Sequence, residues 1–192
     1  MNEDADALNV KRKKTARVVC IVAAVLVLVP CLGLKWMKAG RGLDGGVSLL
    51  FVHPPNSSSE SNLDEIDIVN NQAFSDKDKI LGTYAYAGIA TLFFAVVAAG
   101  ALGAAGGLAF KDKFIRTPVA LTTVALLALC LSLICGCVFL GAMPKFWFGG
   151  GVSWPFFLYG VGNVTGLAGA QMLAKAYSEV RDPYWDGLDQ NP

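Results

Sequence analysis

Few side chains in this sequence are of a type that does chemistry. The single histidine, His53, precedes Pro54-Pro55 and has no second histidine or cysteine near it, whereas a zinc site needs three or four such ligands. Ser153 follows Gly151-Val152, but no spacing brings His53 beside it as a base. The five cysteines are Cys20, Cys31, Cys130, Cys135 and Cys137. All fall in or at the edge of apolar stretches, where cysteine serves as a small packing residue. Three sharper readings stay open. Cys31 could pair with Cys135 or Cys137 across helices. Cys135-Gly136-Cys137 could hold a soft metal. Cys20, three residues past Arg17, could carry palmitate. No phosphate loop, dinucleotide fingerprint or intramembrane carboxylate pair is present. The expectation is a chain without catalytic residues, metal or cofactor, and not an enzyme.

Two patterns point to processing and sorting. Asn56-Ser57-Ser58 is a glycosylation sequon, which makes Asn56 an acceptor if its segment faces a secretory lumen. Asn163-Val164-Thr165 matches too, but inside an apolar span, out of reach. Tyr177 and Val180, in Tyr177-Ser178-Glu179-Val180, have the spacing of an endocytic sorting signal; the alternative is the frayed end of a helix. Asn163 is the most specific polar feature. Flanked by Gly162 and Gly166, with Tyr159 a turn away, it needs a hydrogen-bond partner in hydrocarbon. An interhelical bond to Thr122, Thr123, Ser132 or a backbone carbonyl could supply it; otherwise Asn163 lines a solute path.

These residues sit on four apolar stretches. The chain has 192 residues, 54% of them hydrophobic, and a mean hydropathy of +0.50. Only 16% are charged, against about 25% in soluble domains. The charges are segregated, as in a one-domain polytopic membrane protein. The expected spans are 18–34, 80–110, 117–142 and 152–173, between a basic N-terminal segment 1–17 and a tail 174–192. Segment 80–110 runs 31 residues without a charge; as a helix it reaches about 46 Å, enough to cross a ~30 Å hydrocarbon core. On it Ala99, Gly103 and Gly107 share a face; on the fourth span Gly162, Gly166 and Ala170 do. Small-residue stripes of this kind let helices approach closely in lipid.

Lys35 and Trp36 are expected to anchor the outer end of the first span, and Pro30 to kink it. In the polar stretch 35–79, Val47–Val52 reads as a strand and Ile66–Val69 as a second, which together give a small antiparallel sheet. Ten of the sixteen basic residues fall in 1–17, the turn 111–116 and the tail; six fall in 35–79 and near Trp147. The positive-inside rule then puts both termini in the cytoplasm. The cluster Lys11, Arg12, Lys13, Lys14, Arg17 could also meet anionic headgroups. A net charge of +1 without a basic stripe predicts no nucleic-acid partner.

This layout resembles the claudin and peripheral-myelin-protein group of tetraspan proteins, and the amastins. Gly33-Leu34-Lys35-Trp36 comes close to their Gly-Leu-Trp element, and the first-loop cysteine pair is missing. The resemblance implies a left-handed four-helix bundle topped by a small sheet. The expected function is membrane organisation, adhesion or partner assembly in the plasma membrane or another secretory-pathway membrane. Partners would be the lipid bilayer, other membrane proteins or a second copy. The alternative is a small-solute channel or transporter, or its accessory subunit, with a path beside Asn163. An organellar assembly subunit is the third reading.

Overall fold

The computed structural model describes residues 3–38, 45–53, 58–72, 82–108, 116–143 and 151–178. It is mostly helical. Four long helices pack as a closed ring: α1 (Glu3–Leu28), α3 (Thr83–Leu108), α4 (Arg116–Ala142) and α5 (Trp154–Ser178), each against two neighbours. A short 3-10 turn, Val29–Cys31, ends α1 at Pro30, which supplies no N–H to continue it. Gly33, at φ +77, follows in a bend that favours glycine.

Three of these helices carry a stretch long and apolar enough to cross a membrane: Val10–Cys31, Thr83–Leu108 and Val119–Ala142. A lipid bilayer is the environment such helices fit. The α1 helix itself continues N-terminally through the basic segment. α5 falls short in apolarity, since Gly162, Asn163, Gly166, Gly169 and Gln171 dilute it.

At one end the bundle carries a four-stranded antiparallel sheet in the order β1 (Met37–Lys38), β2 (Gly46–Val47), β3 (Phe51–His53), β4 (Glu60–Ser61). On its free side β1 meets the segment just before α5 through a bridge from Met37 to Val152. Two expectations need correction. Val47–Val52 is not one strand but a hairpin: Ser48 Oγ accepts from the Phe51 N–H at 3.1 Å, and the Ser48 N–H donates to the Phe51 carbonyl at 2.9 Å. A serine side chain that bonds the backbone locally competes with a ladder and closes a turn instead. Ile66–Val69 is not a strand but part of helix α2 (Asn62–Gln72). Ser61 Oγ accepts from the Leu63 N–H at 3.3 Å, and Asp64 and Glu65 lie in the first turn, where the helix dipole favours acids.

Candidate functional site

The centre of the bundle holds a chain of hydroxyls. Ser132 on α4 donates to the Thr91 carbonyl on α3 at 3.1 Å. A hydroxyl has one proton, so the 2.5 Å contact between Ser132 Oγ and Tyr159 OH is a donation from Tyr159. The order is Tyr159 to Ser132 to Thr91, from α5 through α4 to α3. The Thr91 hydroxyl turns back onto the Ala87 carbonyl at 2.7 Å. Thr91, Ser132 and Tyr159 have no exposed surface, and Asn163 has 1%. Asn163 donates through Nδ2 to the Tyr159 carbonyl of its own helix at 2.9 Å, not to α4. Its Oδ1 is buried without a partner among the described residues. Thr122 and Thr123 bond the Val119 carbonyl within α4 and do not meet Asn163.

Trp36 closes this cluster at the sheet end. It is fully buried, which corrects the expectation of an interface anchor. Its indole Nε1 donates to the Pro30 carbonyl at 2.8 Å, and its rings pack on Tyr159, Phe156 and Phe139 at centroid distances of 4.8, 5.6 and 5.9 Å. Its backbone donates to the Val47 carbonyl at 2.7 Å and accepts from the Ser153 N–H at 2.8 Å. One residue thus ties the sheet, the end of α1 and the start of α5 to the hydroxyl chain.

A second clamp seats the hairpin on the bundle. Asn62, 2% exposed, donates through Nδ2 to the carbonyls of Ser48 and Leu49 at 3.2 and 3.0 Å, and through its N–H to the Leu50 carbonyl at 2.8 Å. The Tyr84 hydroxyl on α3 donates to the Asn62 carbonyl at 3.3 Å. Gly88 leaves room for the Leu49 carbonyl on α3. Neither Trp36 nor Asn62 was expected in the core. The sequence signal for the second is Ser61-Asn62-Leu63-Asp64, a helix-start pattern just before the apolar alternation at Ile66–Val69.

The small-residue faces divide. A Cβ on Gly162 would come within 2.7 Å of the Leu26 backbone, one on Gly166 within 3.0 Å of Leu129, and Ala170 is buried. Ala99 is 7% exposed, but a Cβ on Gly103 or Gly107 meets nothing within 4 Å. Within the chain that stripe is not a packing face. The close approach to α1 on this helix is made by Gly106, facing Ile21 and the Arg17 carbonyl.

All five cysteines are free. Cys20 is buried against Gly169 and so is not displayed for acylation, and the Cys31 thiol donates to the Val27 carbonyl at 3.2 Å. Cys130 and Cys137 face outward, away from the core. No three His, Cys, Asp or Glu among the described residues gather as a metal site. Tyr177 is 4% exposed, with Lys13 Nζ 5.1 Å from its ring centre. A tyrosine so placed does not present a sorting signal. Val180, Trp147 and Asn56 lie outside the described residues.

His53 and Ser59 form a pair the sequence did not reveal, with Nδ1 to Oγ 2.6 Å. The far ring nitrogen, Nε2, is buried with no partner among the described residues. A catalytic histidine is normally oriented there by a third group; here the pair ties β3 to the start of β4. In the core, the Ser132 proton points at a carbonyl, whereas an activated serine needs a base that accepts it. The arrangement joins helices through neutral hydrogen bonds. No protein-family model matches the sequence, and no curated protein matches it either.

Proposed function

We propose that the chain is a non-enzymatic four-span membrane protein that acts in membrane organisation, adhesion or partner assembly. Both termini are cytoplasmic and the sheet end faces the secretory lumen or cell exterior. The observation that carries this reading is the polarity of α5. Its outward line Trp154, Phe157, Val161, Val164 and Met172 is apolar and exposed by 58, 62, 56, 67 and 41%, while Tyr159 and Asn163 turn inward. A helix whose central Tyr159 and Asn163 turn inward beneath an apolar outward line suits lipid, and its 25 residues reach about 37 Å. The buried hydroxyl chain supports a packed bundle over a pore. The layout shared with claudins, peripheral myelin proteins and amastins adds to the reading. On this account the sheet end and α2 meet partners, and the open Gly103–Gly107 stripe receives another membrane helix or a second copy.

The test is a mobility shift with an endoglycosidase on wild type and Asn56→Gln expressed in the native cell. A shift lost in the variant supports a luminal sheet end and a glycoprotein. Protection of the 35–79 segment in sealed organelles, with no shift, favours an internal-membrane assembly subunit instead. One observation favours the channel or accessory-subunit reading: Asn163 Oδ1 is a buried acceptor without a partner among the described residues, as a solute path would need. Solute flux in liposomes that is lost with Asn163→Leu would support that alternative.

A further inference from the structure

Where the 48–51 turn and the start of α2 meet α3, the protein leaves a cavity of about 160 Å³, its walls including Phe51, Ser61, Asn62, Leu63, Ala85 and Ile89. None of the described residues lining it is charged. Two of them carry unmet hydrogen-bonding capacity. Asn62 is 2% exposed, and its Nδ2, N–H and carbonyl are all bonded. Its Oδ1 is buried without a partner among the described residues. Because Nδ2 faces the Ser48 and Leu49 carbonyls, the amide cannot exchange its two ends. Ser61 Oγ accepts from the Leu63 N–H and keeps its own proton, for which the described residues offer no acceptor. One acceptor and one donor beside an otherwise apolar space match a single hydroxyl group, which gives one proton and accepts another.

We infer that this cavity seats the hydroxyl end of a sterol-type lipid, a neutral amphiphile whose one polar group is an alcohol on a rigid ring body. The hydroxyl donates to Asn62 Oδ1 and accepts from Ser61. The inference rests on α3 crossing a bilayer, which its apolar stretch Thr83–Leu108 fits it to do. Three features favour this occupant. Uncharged walls have nothing to pair with a phosphate or a carboxylate. The volume suits one ring, since an apolar cavity of about 150 Å³ holds benzene. The cavity reaches the surface at Phe51 and Ile89, each 42% exposed, and Ile89 begins an outward line on α3 with Phe93 and Val96, 61 and 50% exposed. That apolar line follows the helix for about 10 Å toward the middle of its stretch, and the remaining rings lie along it. Ala85 and Ile89 stand near the start of the stretch, at the boundary of headgroups and chains. Oδ1 is closed to water in this structure; the hydroxyl reaches it as the half-exposed Phe51 and Ile89 side chains change rotamer, a motion of picoseconds to nanoseconds. A diacylglycerol also carries a free hydroxyl, but it brings ester carbonyls for which the described walls hold no further side-chain donor.

The experiment uses the full chain in phosphatidylcholine nanodiscs with a photoactivatable cholesterol that carries an alkyne, and reads saturable labelling of the peptide containing Ile89. Unlabelled cholesterol should compete, and its methyl ether, which has no proton to give Asn62 Oδ1, should compete roughly tenfold less well. Ser61→Ala should weaken labelling about threefold. Ile89→Trp fills the mouth from an exposed position and should weaken it on the order of tenfold, whereas Leu127→Trp on the outward face of α4 should leave it at the wild-type level. Equal competition by the alcohol and the methyl ether would overturn the hydroxyl seat, and this arm needs no variant of the protein. Equal losses for Ile89→Trp and Leu127→Trp, or labelling spread evenly over all four long helices, would overturn the cavity in favour of general contact with the bilayer. Competition by diacylglycerol as strong as by cholesterol would overturn the choice of a sterol. Insertion is scored separately by resistance to alkaline extraction. A wild-type chain that is extracted contradicts the membrane placement, whereas an inserted chain without selective labelling contradicts the cavity alone.

Discussion

The Trp36 indole lies 4.8 Å, centre to centre, from the Tyr159 ring, and Tyr159 starts the hydroxyl chain that crosses to Ser132 and Thr91. The sheet end and the bundle are therefore one packing unit. Truncating Trp36 to Ala should destabilise the protein by about 3–5 kcal/mol. Trp36→Phe keeps a ring but leaves the Pro30 carbonyl unpaired, a loss of about 1–3 kcal/mol. Thermal unfolding in detergent should rank wild type, Trp36→Phe and Trp36→Ala in that order, with protease sensitivity of 45–72 rising in parallel.

Removing the Tyr159 hydroxyl should matter far less. Ser132 keeps its donation to Thr91, and interhelical hydrogen bonds in membranes average about 0.6 kcal/mol. Tyr159→Phe combined with Ser132→Ala should be less destabilising than the sum of the two single changes, because Ser132→Ala then strands no Tyr159 hydroxyl. A double-mutant cycle on unfolding free energy checks this.

The glycines separate cleanly by what lies opposite them. Gly162→Ala drives a Cβ into the Leu26 backbone and should cost about 1–3 kcal/mol. Gly107→Ala meets open space and should be neutral, or stabilising by up to about 1 kcal/mol through helix propensity. If the open stripe receives another helix, Gly103→Leu should lower self-association or co-purification of a partner while leaving the melting temperature unchanged.

The sheet end should loosen in mild acid. Burial, and then the charge of Lys35, hold the folded His53 below its ordinary value of 6.5. Above pH 6.5 the ring is neutral in both states and contributes no pH dependence. Below it the unfolded ring binds its proton first, so stability falls until the folded ring titrates as well. Glu65 acts oppositely and lower on the scale. Burial, and then the hydrogen bond and charge of Glu60, raise its carboxyl above the ordinary 4.5, so stability withheld at neutral pH returns as the group protonates. Proteolysis of the sheet end should speed up as pH drops below 6.5 in wild type and stay flat there in His53→Gln.

The apolar stretches of α1, α3 and α4 were legible because charge-free runs of that length have one economical structure in lipid. The packing faces were not. Ala98–Gly107 is small at every position but Leu102, so spacing alone could not choose Gly106 over Gly103 and Gly107. Trp36 could not be told from an interfacial tryptophan, because its burial depends on the Pro30 carbonyl, Val47 and Phe139, which lie on other elements. Ile66 and Ile68 alternate over too few residues to separate strand from helix. The partner of Asn163 was sought across helices, yet the nearest acceptor was the Tyr159 carbonyl one turn back.

The most direct measurement labels single added cysteines with a membrane-impermeant maleimide in sealed membranes. The positions are Lys14→Cys on α1, Ser59→Cys at the sheet end and Asp186→Cys in the C-terminal segment. Four crossings require Ser59→Cys to react from one face, and Lys14→Cys and Asp186→Cys only from the other. Reaction of Asp186→Cys and Ser59→Cys from the same face would mean that α5 does not cross, and would contradict the four-span account.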